Sequence, residues 1–426
     1  MATLGLAGRG AAAALAGLLI AGAAPAAALA GAAGVAVPGA TWHKSVQVPL
    51  PSNANADPNA DLRGLACSSA KSCVAGGGYQ TKPGDQLARI ATESGGKWAR
   101  GFSLRMPSGA SADPDAEVNA VACPTRTYCV AVGYYSDGFF QRTFIATGSG
   151  GKWARAIRPA LPKNASASQG ADLIGVRCHA RGSCVAVGSY ADKSGHDQAM
   201  IVTEARGRWG RAAELRLPRN AAANPEAELN DVGCPSGTCV AVGSYQTGPS
   251  TGQAMAVIES KGTWGRATEI SLPASAGKKQ DAFLAHITCS SPRSCLAVGG
   301  YATKSGAAAA LAVTLSKGKW QRAIEVAGPR HARSAGLYSV SCSATSCLAV
   351  GTYQDASRAN RGLAVLESHG KWGSAMQVSA PSGAATGAEH YALLYAVACT
   401  SSGTCTAVGT YNDGSNHSRA MATVRS

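Results

Sequence analysis

Four acidic residues recur at nearly equal intervals in the first half of the chain. Each follows an alanine, precedes a leucine or valine, and lies six residues before a cysteine: Asp61, Glu117, Asp172 and Glu228. Carboxylates repeated on neighbouring structural units would hold a cation or a basic ligand, or would work in pairs as acid and base. Alternatively, each would accept hydrogen bonds from the backbone or from arginine where a strand begins. We predict a binding site at these four residues, and we assign no catalytic residue, metal ligand or cofactor.

A second repeated set is basic and flanks the tryptophans. Its members are Lys44, Lys97, Arg100, Lys152, Arg155, Arg208, Arg211, Arg266, Lys319, Arg322 and Lys371. The chain carries 39 Lys and Arg against 24 Asp and Glu, a formal charge of +15. Such a belt would grip an anionic polymer, or would discourage exposed strands from pairing edge to edge. The partners that we expect are an envelope polysaccharide, an anionic glycan or a protein, and not a nucleic acid.

The spacing of the cysteines indicates the repeated structural units that position these side chains. Fourteen cysteines form seven local pairs, which are Cys67/Cys73, Cys123/Cys129, Cys178/Cys184, Cys234/Cys239, Cys289/Cys295, Cys342/Cys347 and Cys399/Cys405. The period is about 55 residues, and a tyrosine follows six places after each second cysteine. The histidines do not recur with the repeat, so seven disulfides are favoured over zinc sites.

The first 30 residues differ from the rest. Arg9 is followed by the apolar run 11–23 and by small residues, a pattern typical of a signal peptide. We predict a signal peptide at 1–30, a linker at 31–41 and, after cleavage, no transmembrane anchor. The mature protein is expected to be a monomer, either released outside the cell or held non-covalently at its envelope.

Each repeat contains four short strands joined by tight turns, which predicts a blade of a β-propeller. In the third repeat the fourth strand is expected at 209–217. The seventh repeat ends before its tryptophan strand, and the missing strand is found at 42–50, beginning with Trp42. We therefore predict an all-β, seven-bladed propeller at 42–426, whose N-terminal strand completes the last blade and closes the ring. The blades are expected at about 52–106, 107–161, 162–217, 218–272, 273–326, 327–380 and 381–426.

In such blades, the loop between the second and third strands lies at the same end as the connection to the next blade. These are the longer and more variable loops, and we call this end the loop face. Because binding residues are often carried by loops on a rigid scaffold, we expect a ligand on the loop face near the central axis.

From residue 42 to 426 the chain resembles the sialidase-type or Asp-box class of propellers, which includes secreted bacterial repeat proteins. The hairpins that carry this resemblance precede each tryptophan, as in 93–98 and 259–264. The aspartate of the Asp box is absent from them, so the motif is degenerate. A sialidase of this class would need three convergent arginines. The candidates by position are Arg63, Arg89, Arg142, Arg361 and Arg419.

The sequence favours an exported, disulfide-stapled propeller that acts as a non-catalytic binding or adhesion module at the cell envelope. The alternative is a sialidase-like glycoside hydrolase or lyase. An enzyme should show one cluster of non-repeating acids and bases with perturbed pKa values, whereas a scaffold for a protein partner should show an exposed apolar patch.

Overall fold

The computed structural model describes residues 41–168 and 170–426, which form seven antiparallel sheets arranged in a ring. The first strand of each sheet lies against the first strands of its two neighbours and lines the ring axis. The all-β, seven-bladed propeller is thus confirmed. The proposed signal peptide and residues 31–40 of the linker lie outside the described residues. Within those residues, no helix has the length and apolar character needed to cross a membrane.

Each blade begins with its innermost strand, and we number the blades 1 to 7 in chain order. The first strands are Gly64–Ser69, Glu117–Thr125, Ala171–Ala180, Glu228–Gly233, Phe283–Ser291, Ser334–Cys342 and Ala392–Cys399. The second strands are Ser72–Gln80, Tyr128–Ser136, Ser183–Ala191, Val240–Gln246, Ser294–Ala302, Cys347–Gln354 and Cys405–Asn412. The third strands are Gln86–Ser94, Gln141–Ser149, Asp197–Ala205, Gly252–Ser260, Ala308–Ser316, Asn360–Ser368 and Ser418–Arg425.

The outer strand of blades 1 to 6 starts with a short piece that ends at the repeated tryptophan. These pieces are Lys97–Trp98, Lys152–Trp153, Arg208–Trp209, Thr263–Trp264, Lys319–Trp320 and Lys371–Trp372. Further along are Phe102–Ser103, Ala213–Glu214, Thr268–Glu269, Ile324–Val326 and Met376–Val378. Two 3-10 turns, Pro235–Gly237 and Gly387–Glu389, complete the assigned elements of the described residues.

The prediction of one continuous outer strand at 209–217 is wrong, because the backbone leaves the sheet between the two pieces. At this break the N–H of Ala212 donates to the carbonyl oxygen of Ala160 in the preceding blade at 2.8 Å. Ala156, Ala267 and Ala323 make the same kind of bond. The interruption therefore ties neighbouring blades together at the perimeter, where the outer strands would otherwise present unpaired edges.

The N-terminal strand closes the ring as predicted. Val46–Gln47 pairs with the third strand of blade 7, with Val46 opposite Ala422. The N–H of Val48 donates to Ala420 at 3.0 Å, and the N–H of His43 donates to Val424 at 2.7 Å. The edge of the last blade is thereby covered by the first residues of the domain.

The apolar core consists of seven clusters, each shared by two adjacent blades. In one of them, Val240 and Val242 of blade 4 pack with Leu284 and Leu311 of blade 5. One repeated tryptophan is partly buried against each cluster, for example Trp320 against this one. Since every cluster needs both blades, the blades stabilise one another only within the closed ring.

The seven expected disulfides are all present, and each joins the first and second strands of one blade, or in blade 4 the residues just beyond their ends, Cys234 and Cys239. Their Cα–Cα distances are 3.9 to 4.1 Å. Because the two cysteines of a pair are cross-strand neighbours, as Cys178 and Cys184 are, each bridge fixes the register at the end of the ring opposite the loop face.

The two cysteines of a bridge differ in exposure. The first cysteine of each pair is partly exposed, and so is Cys347. The second cysteine is buried in the other six blades, as Cys73, Cys129, Cys184, Cys239, Cys295 and Cys405. A sulfur that is both bonded and buried offers no thiolate to a ligand or a metal ion. These cysteines are therefore structural residues, and they form no part of a binding site on the loop face.

Candidate functional site

The loop face is built by two kinds of loop that bond to each other in every blade. In blade 3 the N–H of Ser166, in the connection from blade 2, donates to the carbonyl oxygen of Ala191 at 2.9 Å. Equivalent bonds occur in the other six blades, for example from Asn55 to Gln80 and from Ala385 to Asn412. The first strand of each blade starts at this end, so its first residues lie near the loop-face end of the ring axis.

A β-bulge follows within the first strand. In six blades the pairing register with the second strand skips one residue, as at Val118/Ala120 and Leu173/Gly175. Arg63 occupies the corresponding position in blade 1. There the N–H of Asp61 donates to the carbonyl oxygen of Gly78, and the N–H of Arg63 donates to that of Gly76. Bulges commonly re-aim a side chain near a functional site.

The bulge depends on a glycine in the second strand. A Cβ atom on this glycine would come within 1.9 to 2.3 Å of the carbonyl oxygen two residues before the bulge in every blade. A Cβ atom on Gly188, for example, would lie 2.0 Å from the carbonyl oxygen of Asp172. The repeated glycine of the second strand is therefore required by the close approach of two backbones.

The side chains at the seven bulge positions do not repeat. In blade order they are Arg63, Asn119, Ile174, Asn230, Ala285, Tyr338 and Tyr395. The flanking Leu62 and Leu173 are fully buried in the cores between blades, whereas Arg63, Ile174 and Tyr395 are partly exposed. The bulge residues thus form a ring around the axis, which we call the bulge ring, and its chemistry differs from one side to the other.

Three consecutive members of the bulge ring contact one another. The rings of Tyr338 and Tyr395 lie 6.1 Å apart at an angle of 25°, and the guanidinium of Arg63 lies 5.6 Å from the centre of the Tyr395 ring. We call these three residues the aromatic–arginine sector. Tyr338 is buried, whereas Tyr395 and Arg63 are partly exposed, so the ring of Tyr395 beside a fixed cation is the part suited to a planar or sugar-like ligand with a negative group.

Asp61 and Glu117 hold Arg63 in this position. Oδ2 of Asp61 accepts from Nε of Arg63 at 2.7 Å, Oδ1 of Asp61 accepts from the N–H of Gly78 at 3.1 Å, and Oε1 of Glu117 lies 3.8 Å from Nε of Arg63. Burial alone would raise the pKa of Asp61, but Arg63 and the neighbouring hydrogen bonds lower it. Burial and the charge of Asp61 raise the pKa of Glu117 well above its usual range, so the pKa values of the two carboxyl groups are shifted in opposite directions.

Arg89 adds a buried cation beside this cluster. It is 0% exposed, and its Nη2 donates to the carbonyl oxygen of Asp61 at 3.4 Å. Among the described residues, Nε and Nη1 of Arg89 have no hydrogen-bond partner. Burial lowers the pKa of Arg89 to about 10. The other blades have apolar residues at this register position, which are Phe144, Met200, Met255, Leu311, Leu363 and Met421.

Asp172 and Glu228 also neighbour the bulge ring, but they contact amide and hydroxyl groups. Oδ1 of Asp172 accepts from Nδ2 of Asn119 at 2.9 Å, and Oε1 of Glu228 accepts from the hydroxyl of Ser244 at 3.5 Å. Burial raises the pKa of each carboxyl group to about 7. All four predicted acids therefore lie just before the bulge and support its side chains, and their role in binding a ligand stays a prediction.

The five arginines considered for a sialidase-like site do not all come together. Arg63 and Arg89 lie at the same cluster, whereas each of the others pairs with an aspartate in the second-to-third loop of its own blade. These pairs are Arg142 with Asp137 at 2.6 Å, Arg361 with Asp355 at 2.5 Å and Arg419 with Asp413 at 2.8 Å. The pairs brace loops on separate blades. Within residues 41–168 and 170–426, no three His, Cys, Asp or Glu side chains form a group that fits a metal ion.

The bulge ring was not predicted from the sequence, and neither was the burial of Arg89, which was considered only as a candidate arginine of a sialidase-like site. Both leave a signal when the seven repeats are compared column by column. The residue two places after each acid varies freely among repeats that are otherwise similar, and Arg89 is the charged member of an apolar column. The acids were predicted as site residues because they recur, whereas the asymmetric side chains of the site occupy a position whose residue type differs from repeat to repeat.

Comparisons with known proteins establish the fold. No protein-family model matches the chain, and no curated protein matches it. A solved structure of a protein of unknown function from Dyadobacter fermentans is 11% identical, with 91% of this chain and 99% of that chain covered and a TM-score of 0.50. A polysaccharide lyase described as an ulvan lyase is 8% identical, with 86% and 94% covered and a TM-score of 0.53.

A sialidase from Streptococcus pneumoniae is 8% identical, with 90% of this chain and 70% of that chain covered and a TM-score of 0.45. The propeller fold that the sequence suggested is confirmed by the seven sheets and by the two neighbours with TM-scores of 0.50 and 0.53. Identities this low show a shared architecture and no shared activity.

Proposed function

We propose that the protein is an extracellular, non-catalytic binding module that holds a saccharide with an anionic group at the loop-face end of its ring axis. The observation that supports this proposal is the aromatic–arginine sector, where a sevenfold repeat is broken by two stacked tyrosines and an arginine in consecutive blades. Ala285 and Ile174 occupy the same bulge position in other blades, so the fold of the bulge does not require a tyrosine or an arginine there. Side chains of this chemistry are therefore best explained by a ligand.

The contacts in the cluster favour binding over catalysis. Both carboxylate oxygens of Asp61 accept hydrogen bonds, and the side chain of Glu117 is 4% exposed. A general acid or base must reach the proton that it transfers, so these carboxyl groups are better suited to orient Arg63. The ring of Tyr395, backed by the buried Tyr338, would pack on a sugar face, and the guanidinium of Arg63 would pair with a carboxylate or sulfate group. The ulvan lyase, which shares the fold, has been solved with -[GlcA(1-4)Rha3S]- bound.

A glycoside hydrolase or lyase is the second candidate, and one observation favours it. The pKa of Asp61 is lowered while that of Glu117 is raised, and two carboxyl groups with separated pKa values are typical of an acid and base pair. This function would require a substrate to displace the contacts that now bury Glu117.

Seven disulfides, with no free cysteine among the described residues, are typical of proteins that fold in an oxidising compartment. We further propose that the chain is exported and acts at the cell envelope, where a chain of net charge +15 would be attracted to anionic polymers.

The test is an array of neutral, uronate-bearing and sulfate-bearing oligosaccharides that are too short to reach from one blade to the next along the rim, on which retained protein and released sugars are both measured. We expect retention on the anionic glycans without released products, and at least a tenfold loss of affinity in Tyr395→Ala and in Arg63→Met. Ile174→Ala changes a bulge residue on another side of the ring and should leave binding unchanged.

Released sugars that disappear in Glu117→Gln would replace this proposal with the hydrolase or lyase. Equal binding by the wild type, Tyr395→Ala and Arg63→Met would show that the ligand does not bind at the aromatic–arginine sector.

A further inference from the structure

The positive charge of the protein is concentrated on one arc of its outer rim. In blades 2 to 5 the outer strand and the connection that follows it span 152–171, 206–227, 261–282 and 317–334. These segments contain 18 Lys and Arg against five Asp and Glu. The matching segments of blades 6, 7 and 1, at 371–390, 42–58 and 97–116, contain five Lys and Arg against four Asp and Glu. Edge protection alone would place charge evenly on all blades, so this arc needs another explanation.

The same arc contains two grooves, one between the outer strands of blades 2 and 3 and one between those of blades 3 and 4. The first has a volume of about 410 Å³, is lined by Leu161 and Pro162, and has Arg158 and Arg211 at its sides. The second has a volume of about 470 Å³ and is lined by Leu217 and Pro218, with Arg216 and Arg266 at its sides and Glu214 at the position that Arg158 has in the first. The two grooves thus share a floor of leucine and proline and an arginine from the following blade, and they differ where Arg158 is replaced by Glu214.

The arginines of this rim are held in place by the backbone of the preceding blade. Nη1 of Arg211 donates to the carbonyl oxygen of Leu161 at 2.5 Å, and Nη1 of Arg266 donates to that of Leu217 at 2.6 Å. Arg155 and Arg322 make the same contact with Met106 and Leu272, so the series runs over four blades. A guanidinium has five N–H donors, and the exposed remainder of each group is free to bind an anion in a fixed orientation.

We propose that the rim of blades 2 to 5 binds a linear anionic polysaccharide, whose carboxylate or sulfate groups pair with the arginine series and whose sugar rings lie over the leucine and proline floors of the grooves. A nucleic acid is disfavoured as the ligand, because single-stranded binders stack bases on exposed aromatic rings and these floors are aliphatic. The rim site shares no residue with the aromatic–arginine sector, so a negative result for one of the two sites does not contradict the other.

The experiment measures binding of the disulfide-bonded protein to heparin, polygalacturonate, neutral dextran and single-stranded DNA at several salt concentrations. The test variant is Arg211→Gln/Arg266→Gln, since glutamine keeps an N–H donor for the carbonyl oxygens of Leu161 and Leu217. The control is Arg100→Gln/Lys371→Gln, which removes the same charge from the rims of blades 1 and 6.

We expect the protein to bind heparin or polygalacturonate and not dextran, with affinity that falls steeply as salt is added. Affinity should fall at least tenfold in the test variant and less than twofold in the control, and Tyr395→Ala should retain it. Equal losses in the test and control variants would overturn the proposal in favour of a nonspecific effect of net charge. No binding at low salt would overturn it as well, and DNA bound as tightly as heparin would overturn the assignment to a polysaccharide.

Discussion

At the scale of single residues, the unusual feature is a buried arginine in an otherwise apolar column. Burial and the charge of Asp61 raise the pKa of Glu117 well above its usual range, and the two carboxyl groups face two cations, Arg63 and Arg89. Arg63 is bonded to Asp61 directly, whereas Nε and Nη1 of Arg89 lack partners among the described residues. Arg89 is therefore a buried cation whose hydrogen-bond donors are incompletely satisfied, and this weakens the fold.

Replacing Arg89 by methionine, the residue of blades 3, 4 and 7 at this position, should raise the free energy of unfolding by about 1 to 4 kcal/mol. Urea denaturation with the disulfides intact measures the change, and Met255→Leu, an apolar exchange in the same column, serves as the control. A loss of stability in Arg89→Met would mean that the charge cluster holds blades 1 and 2 together.

The carboxyl groups of Asp172 and Glu228 should make stability fall as pH rises. Burial raises the pKa of both to about 7, so between about pH 4 and pH 7 the folded protein binds more protons than the unfolded chain. Their contribution is complete below their unfolded pKa values and is lost as pH rises through about 7, at a cost on the order of 3 kcal/mol each.

Urea denaturation at pH 4.5 and pH 8 checks this expectation. The wild type should be less stable at pH 8, and the difference should shrink in Asp172→Asn and in Glu228→Gln. Asp413→Asn serves as a control outside the site, because the pKa of Asp413 is lowered and its effect falls below pH 4. An unchanged pH dependence in both site variants would show that these groups titrate normally.

At the scale of elements, the bulge of the first strand is the feature that makes the site. It turns one residue per blade towards the axis, and it brings the carbonyl oxygen before the bulge against a glycine of the second strand.

Gly188→Ala should therefore lower the free energy of unfolding by about 3 kcal/mol or more, because its Cβ would lie 2.0 Å from the carbonyl oxygen of Asp172. Gly210→Ala meets only ordinary contact, at 3.5 Å from Thr203, and should change stability little.

Thermal or urea denaturation of these two variants provides the measurement. If Gly188→Ala were as stable as Gly210→Ala, the first strand would be able to lose its bulge at little cost, and the bulge ring would not be a fixed feature.

At the scale of the whole molecule, the ring depends on a strand that is far away in the sequence. Residues 41–48 bond to the third strand of blade 7, and Oε1 of Gln47 accepts from the hydroxyl of Tyr411 at 3.1 Å. A protein that begins at residue 49 should unfold at a lower denaturant concentration than one that begins at residue 41, because the edge of Ser418–Arg425 becomes free.

Size-exclusion chromatography should show dimers or larger species for the shorter protein, formed through the free edge, and a single smaller species for the longer one. Matching elution and matching stability would mean that the disulfides and the cores between blades hold the ring without its closing strand.

Most of the architecture could be predicted from the sequence, because each repeat specifies its own strands and turns through local signals. Paired cysteines with a recurring tyrosine gave the period, and Trp42 at one end of the chain matched a strand missing at the other. Disulfide pairing followed from the same local spacing. The break in the outer strand was not predicted, because it is caused by hydrogen bonds to the neighbouring blade, as between Ala212 and Ala160.

The sequence by itself determined a closed, disulfide-stapled, seven-bladed ring and the loop-face end at which the repeated acids lie. Only the tertiary structure decided which side chains meet at the axis. Tyr338, Tyr395 and Arg63 are separated by up to 332 positions in the chain, and they become neighbours because ring closure places blade 7 beside blade 1. Repeats reveal local structure, whereas a site assembled across blades depends on contacts that no single repeat contains.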